Sequence, residues 1–176
     1  NEIGTGTRLH ARCPHCQSYG PLDWDGFTYE YRTLNGQAGA DTKHAAETAA
    51  YVCPRCAVRW SEDDRRAALL GCRFAHKGQT VDAAGIVQGD QPKTDSFGLR
   101  THALDCILTT MATIAEKYAG ARYALEQHGN HDPMRKFYRY QRVEHYLGDQ
   151  QQDEDGKDTP HTHRSLAARS ERTAWA

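Results

Sequence analysis

Cysteine spacing carries the strongest chemical signal in this chain. Of six cysteines, four fall into two matching units, Cys13-Pro14-His15-Cys16 and Cys53-Pro54-Arg55-Cys56, while Cys72 and Cys106 stand alone. Two thiolates separated by two residues can face one ion from a tight turn, and two such turns supply the tetrahedral sulfurs of a structural Zn²⁺ site. The Pro after each first Cys suits the turn. The predicted ligands are therefore Cys13, Cys16, Cys53 and Cys56. Paired redox motifs would need a thioredoxin-like βαβ context, which the pattern lacks, and disulfides are disfavoured without a secretion signal. As a ligand, His15 would displace a better-placed cysteine, and His10 reads as a surface strand residue. Cys72 and Cys106 read as small buried apolar side chains. Four thiolates leave no open position for an activated water, which argues against a zinc hydrolase.

A second chemistry is suggested near residue 140. Arg135, Lys136, Arg139 and Arg142 gather on one side of a predicted helix beside Tyr138, with Phe137, Tyr140 and Leu147 towards the other. Such a row could contact DNA phosphates, although a solvated amphipathic face is the plainer reading. His161 and His163 could chelate adventitious metal, but two histidines in a polar stretch more often do nothing. No G-x-x-x-x-G-K-[ST] motif occurs, and Gly4-Thr5-Gly6-Thr7 lacks the Lys and the following helix, so nothing cradles the phosphates of ATP. The densest acids, Asp153, Glu154, Asp155 and Asp158, lie in a linker-like run with no frame to converge on a metal.

The elements that must position these residues form an expected α+β chain: a small four-cysteine zinc ribbon, then a mainly helical segment, then a flexible acidic tail. The 36 residues between Cys16 and Cys53 include Gly36-Gln37-Ala38-Gly39-Ala40, which reads as a solvated insertion between two ribbon hairpins. The expected divisions are 7–60 for the ribbon with an inserted loop near 33–49, 61–149 for the helical segment, and 150–176 for the linker and the start of a following domain. Ser61 precedes Glu62, Asp63 and Asp64 and predicts a helix closing at Gly71. Residues 78–95 read as a loop or irregular hairpin, and 96–100 as a strand. Thr110 opens the clearest helix, where Met111, Ile114, Ala115, Tyr118 and Leu125 form an apolar stripe that ends at Gly129-Asn130. Asp132-Pro133 starts another, and Leu166-Ala167-Ala168-Arg169 begins a last one.

Composition bounds the rest. Leu, Ile, Val and Phe number 24 of 176 residues, too few for a full apolar core without added constraint. A net charge of −1 removes any argument from overall charge for nucleic-acid binding, so such binding must be local. No transmembrane run and no signal peptide are visible. The first residue is Asn1, and the missing Met suggests processing or a cut from a longer chain.

The order of signals resembles the cysteine-rich segment of lambda-type large terminase subunits of tailed bacteriophages. The resemblance runs through Ala11-Arg12-Cys13-Pro14-His15-Cys16, Leu22-Asp23-Trp24, Ala50-Tyr51-Val52-Cys53-Pro54-Arg55-Cys56 and Gly71-Cys72-Arg73-Phe74. It continues through Ser96-Phe97-Gly98-Leu99, Ala103-Leu104, Ile114-Ala115, Asp132-Pro133 and Leu147-Gly148-Asp149. Departures stand where the family usually carries Gly after each knuckle and this chain has Gln17 and Ala57, and at Asp105-Cys106-Ile107-Leu108, which replaces an aromatic-rich loop. The resemblance implies a piece of a DNA-packaging motor, a zinc ribbon between an ATPase that uses ATP and Mg²⁺ and a metal-dependent endonuclease. It implies as partners DNA, the small terminase subunit and the portal of the procapsid, no membrane, and the host cytoplasm as location. A fragmentary or split gene, inactive alone, is the expectation. A stand-alone zinc-ribbon module that binds nucleic acid or a protein is the alternative.

Overall fold

The computed structural model describes residues 4–34 and 38–148. In chain order the strands are β1 (Thr7–Arg12), β2 (Tyr19–Gly20), β3 (Phe27–Thr28), β4 (Ala50–Val52), β5 (Arg59–Trp60), β6 (Arg73–Ala75), β7 (Thr80–Val81), β8 (Val87–Gln88) and β9 (Leu99–Arg100). The helices are α1 (Thr42–Glu47), α2 (Glu62–Leu70), α3 (Met111–His128) and α4 (Asp132–Phe137). This is the mixture of helix and sheet expected. The chain divides into units Asn1–Glu144 and His145–Ala176, and every element named belongs to the first. The acidic stretch from Gln150, the His161 and His163 pair, and the helix start at Leu166 lie outside the described residues. No helix among the described residues is long and apolar enough to cross a membrane.

β1 is the organising strand. β2 and β6 pair antiparallel with it and β9 pairs parallel, while β3, β4 and β5 form a separate antiparallel sheet. The two sheets therefore each contribute one hairpin, β1–β2 and β4–β5, and each hairpin carries one cysteine pair at its tip. The loop at 78–95 contains the expected hairpin, β7 paired with β8. The strand expected over 96–100 shrinks to Leu99–Arg100, and Phe97 is exposed.

α2 begins as its sequence dictates: the Ser61 side chain accepts from the Asp64 N–H at 3.1 Å while the Asp64 carboxylate accepts from the Ser61 N–H at 2.9 Å. α3 opens at Thr110, whose hydroxyl accepts from the Thr113 N–H, and closes at Gly129 with φ of 60°. Its stripe is buried through Met111, Ile114 and Ala115, and half-buried Tyr118 stacks on Phe137 of α4 with ring centroids 4.6 Å apart.

The inserted segment departs from expectation. Residues 42–47 are not a solvated loop but α1, capped by Asp41, with Ala45 fully buried against Ala115 and Ala119 of α3. Alanine at the crossing lets the two helices approach closely, and Phe27, Tyr29 and Tyr31 close around them. Six residues of helix have little stability alone, and this one is held by the crossing, which no local pattern announces. The segment after residue 60 is mainly helical, through α2, α3 and α4, and also holds the short strands β6 to β9. The Asp132-Pro133 helix starts one residue earlier in its cap, at His131, and after Phe137 loosens into a π-helical turn, Tyr138–Arg142, ended by Val143 at φ 55°. Leu147 therefore does not share that helix.

Candidate metal centre

The second knuckle repeats the first residue for residue. Arg12 faces Tyr19 across one hairpin and Val52 faces Arg59 across the other. The Cys13 N–H donates to the Ser18 carbonyl at 2.9 Å and the Gln17 N–H to the Cys13 carbonyl at 3.0 Å; Cys53 with Val58 and Ala57 with Cys53 do the same at 3.0 and 2.9 Å. Each turn closes through a left-handed residue, Gln17 at φ 61° and Ala57 at φ 57°. These are the two positions where the sequence departs from glycine. The turn geometry is kept regardless, at a steric cost of about 1–2 kcal/mol for each L-residue. Gln17 offsets part of it by donating from its side-chain amide to the Pro14 carbonyl at 2.7 Å.

Folding brings the four predicted sulfurs into one cluster, all within 4.8 Å of one another. Cys13 Sγ lies 3.8 Å from Cys56 Sγ, and Cys16 Sγ lies 3.9 Å from Cys53 Sγ. A tetrahedral ion with bonds of about 2.3 Å to sulfur spans edges of about 3.8 Å, so these separations fit a common central ion. They are far too long for a disulfide of about 2.05 Å, and all six cysteines are free thiols. Cys13 and Cys53 are buried, whereas Cys16 is exposed. Burial pushes the Cys13 thiol up to about 12, while the hydrogen bond with Ser18 pulls Cys16 down to about 6. A cation among the sulfurs would relieve the burial cost of the anionic form.

The neighbouring histidines stay out of this cluster. His15 Nε2 sits 3.6 Å from the Asp64 carboxylate on α2. His10 is half-buried within β1 rather than a surface residue, and burial holds its pKa below the usual value. Cys72 and Cys106 are half-buried rather than core residues. Beside the knuckles, Cys13, Cys53, Tyr19, Tyr51, Pro54 and Trp60 line a cavity of about 250 Å³. Of these, Tyr51 and Trp60 form a tilted pair with ring centroids 5.0 Å apart, and a side chain at Gly26 would strike the Tyr51 ring at 2.6 Å.

One residue of structural weight gave no chemical signal. Arg65 of α2 is fully buried and donates to the carbonyls of Leu104 at 2.7 Å, Cys106 at 3.3 Å and Thr109. It pairs with Glu62 at 2.7 Å, and the other Glu62 oxygen accepts from the Met111 N–H at the start of α3. The Glu62 and Arg65 spacing is visible in sequence, but their distant carbonyl partners are not. This network ties the helix after the second knuckle to the beginning of α3.

The expected row of cations is divided between α4, which carries Arg135 and Lys136, and the π-helical turn, which carries Arg139 and Arg142. Arg135, Lys136 and Arg139 are exposed, with Arg135 paired to Asp132. Arg142 turns inward: its guanidinium lies 4.7 Å from the Tyr138 ring centre and 5.3 Å from that of Trp24, and it pairs with Glu144 at 2.9 Å. The π-helical turn rotates Arg142 off the face that a continuous α-helix would have given it.

Residues 2–74 match the family model described as phage terminase large subunit gpA, ATPase domain. The matched stretch contains both knuckles and α2. No curated protein and no solved structure matches the chain.

Proposed function

We propose that this chain is part of the large subunit of a phage DNA-packaging terminase, in which Cys13, Cys16, Cys53 and Cys56 hold a structural Zn²⁺. The observation that carries the reading is a family match spanning both knuckles, joined to sulfur separations of 3.8 and 3.9 Å. The ion would supply cross-linking only, because four thiolates fill its shell. Hairpins β1–β2 and β4–β5 belong to different sheets, and the knuckles would clamp them together. Residues 7–60 then form a zinc ribbon, 61–149 a connecting segment and 150–176 a linker, joining an ATPase motor that uses ATP and Mg²⁺ to an endonuclease. DNA, the small terminase subunit and the procapsid portal are the partners of that assembly, in the host cytoplasm. The cavity beside the knuckles favours a second reading, a stand-alone zinc-ribbon module that binds nucleic acid or a protein.

Two measurements test the proposal. Elemental analysis of protein purified without chelator should find one zinc per chain, and its absence would refute the metal assignment. Joined to the reading frames that flank its gene, the chain should restore packaging to a phage lacking its own large subunit. Flanking frames without an ATP-binding and a nuclease segment would favour the stand-alone module.

A further inference from the structure

One face of the sheet around β1 gathers cations over a floor of small residues. In register, Arg8 of β1 has Ala75 of β6 on one side and Arg100 of β9 on the other. Two arginines thus stand side by side on neighbouring strands, an arrangement that costs stability unless an anion lies between them. Alternation along β1 puts His10 on the same face, and Gly6 and Gly98, just outside β1 and β9, line the space beside Arg8 and Arg100. Ala75 is buried and the glycines carry no side chain, so a hollow of about 510 Å³ opens below the basic rim.

The turn after β6 completes that rim with His76 and Lys77. His76 is oriented from behind: its Nδ1 lies 2.8 Å from the hydroxyl of fully buried Thr7, which lies 2.7 Å from the Thr5 hydroxyl. The ring is thereby held with Nε2 as its remaining polar atom. Arg8 has Asp23 as an ion-pair partner at 2.8 Å, but Arg100 makes no side-chain hydrogen bond or ion pair among the described residues. No carboxylate lines the hollow among those residues, so it does not suit a divalent cation. No Phe, Tyr or Trp lines it either, so it lacks the stacking platform by which proteins hold single-stranded bases.

We infer that this groove binds the phosphate backbone of duplex DNA, with Arg8, Lys77 and Arg100 as phosphate contacts and His76 as an oriented hydrogen-bond donor. The inference deepens the DNA-packaging reading and rests on it for the choice of ligand. It moves the main phosphate contacts from α4 to the sheet.

The test titrates the whole zinc-loaded chain into a fluorescent mixed-sequence duplex over a range of salt. Each phosphate contact contributes a slope of about 0.9 in log affinity against log salt, so a Lys77→Ala, Arg100→Ala double variant should flatten the slope by about 2. Gly98→Val, which fills the hollow and leaves the charge unchanged, should weaken binding at every salt concentration. A triple Arg135→Ala, Lys136→Ala, Arg139→Ala variant should keep the wild-type slope. Zinc content and circular dichroism confirm that each variant is folded. The opposite pattern, flattening by the α4 variant alone, overturns the inference. So does binding of inorganic pyrophosphate through Arg100 without binding of duplex, which would make the groove a site for small phosphates. A wild-type chain that binds no duplex overturns the groove and leaves the terminase reading to the zinc and packaging tests. Groove-dependent duplex binding by a chain that fails to restore packaging upholds the groove and removes that reading.

Discussion

At the scale of single residues the cysteines are not equivalent. Cys53→Ser removes one of four clustered sulfurs and leaves an incomplete site, so it should abolish zinc retention and most ordered structure. Cys72→Ser touches none of the cluster and should be much milder. Circular dichroism and metal analysis of the two variants decide this, and equal losses would refute the division of cysteines. The left-handed turns offer the opposite sign: Ala57→Gly should stabilise the zinc-loaded protein by about 1 kcal/mol, because glycine adopts φ near 57° without steric cost. A lowered melting temperature would show that the turn is not strained. Asp105 is a third case, since burial pushes its carboxyl up to about 6 from 3.8. The folded state then binds the proton more tightly than the unfolded one. Its contribution is fully present below about pH 4 and is lost as pH rises through about 6. Asp105→Asn keeps an acceptor for the His102 N–H and should be more stable than wild type above pH 6, with the gap closing towards about pH 4. Comparing melting temperatures of the two proteins cancels the pH dependence of the metal itself.

At the scale of elements, the joint between α2 and the start of α3 depends on Arg65. Arg65→Ala would leave three carbonyls and the Glu62 carboxylate short of their buried donor, and should cost about 3–5 kcal/mol in denaturant unfolding. Arg65→Lys should not restore it, because a single ammonium cannot reproduce the planar fork of donors. A loss below about 1 kcal/mol would mean that the apolar contacts of α2 hold the joint without it. The same elements show where local patterning was sufficient. Ser61 with Asp64, Thr110 with Thr113, and Gly129 marked their helix ends in advance, because a cap is made by residues three or four apart. α1 carries the same kind of cap, Asp41 accepting from the His44 N–H, but six residues are held only by packing Ala45 on a helix some seventy residues further along the chain, which no cap announces.

At the scale of the whole molecule, the described residues form three small sheets and a helix group, with an apolar core that is thin for the chain's length. Removing the metal with a chelator should therefore unfold the ribbon hairpins, because binding of Zn²⁺ in small folds contributes about 10–16 kcal/mol. Retention of near-ultraviolet circular dichroism from Tyr51 and Trp60 after chelation would show that packing alone maintains the ribbon. The chain by itself should neither hydrolyse ATP nor cut DNA. The sequence contains no G-x-x-x-x-G-K-[ST] motif, and coordination by four thiolates would leave a bound zinc no open position. Turnover of ATP or of plasmid in the presence of Mg²⁺, abolished by changing Asp153 and Asp155, would refute this.

The four-cysteine set, both knuckle turns, the capped helices and the family resemblance were all legible in the sequence, because each is written in residues a few positions apart. Tertiary structure alone decided which distant groups meet. It placed the four sulfurs together, buried Arg65 against carbonyls beyond residue 100, packed α1 on α3, and turned Arg142 onto Trp24 instead of leaving it with the cations of α4. It also set Arg8 beside Arg100, more than ninety residues away, through one parallel pairing. The physical reason is common to all of these: strand register and helix crossing are chosen by burial summed over the whole chain, and no local window of sequence contains that sum.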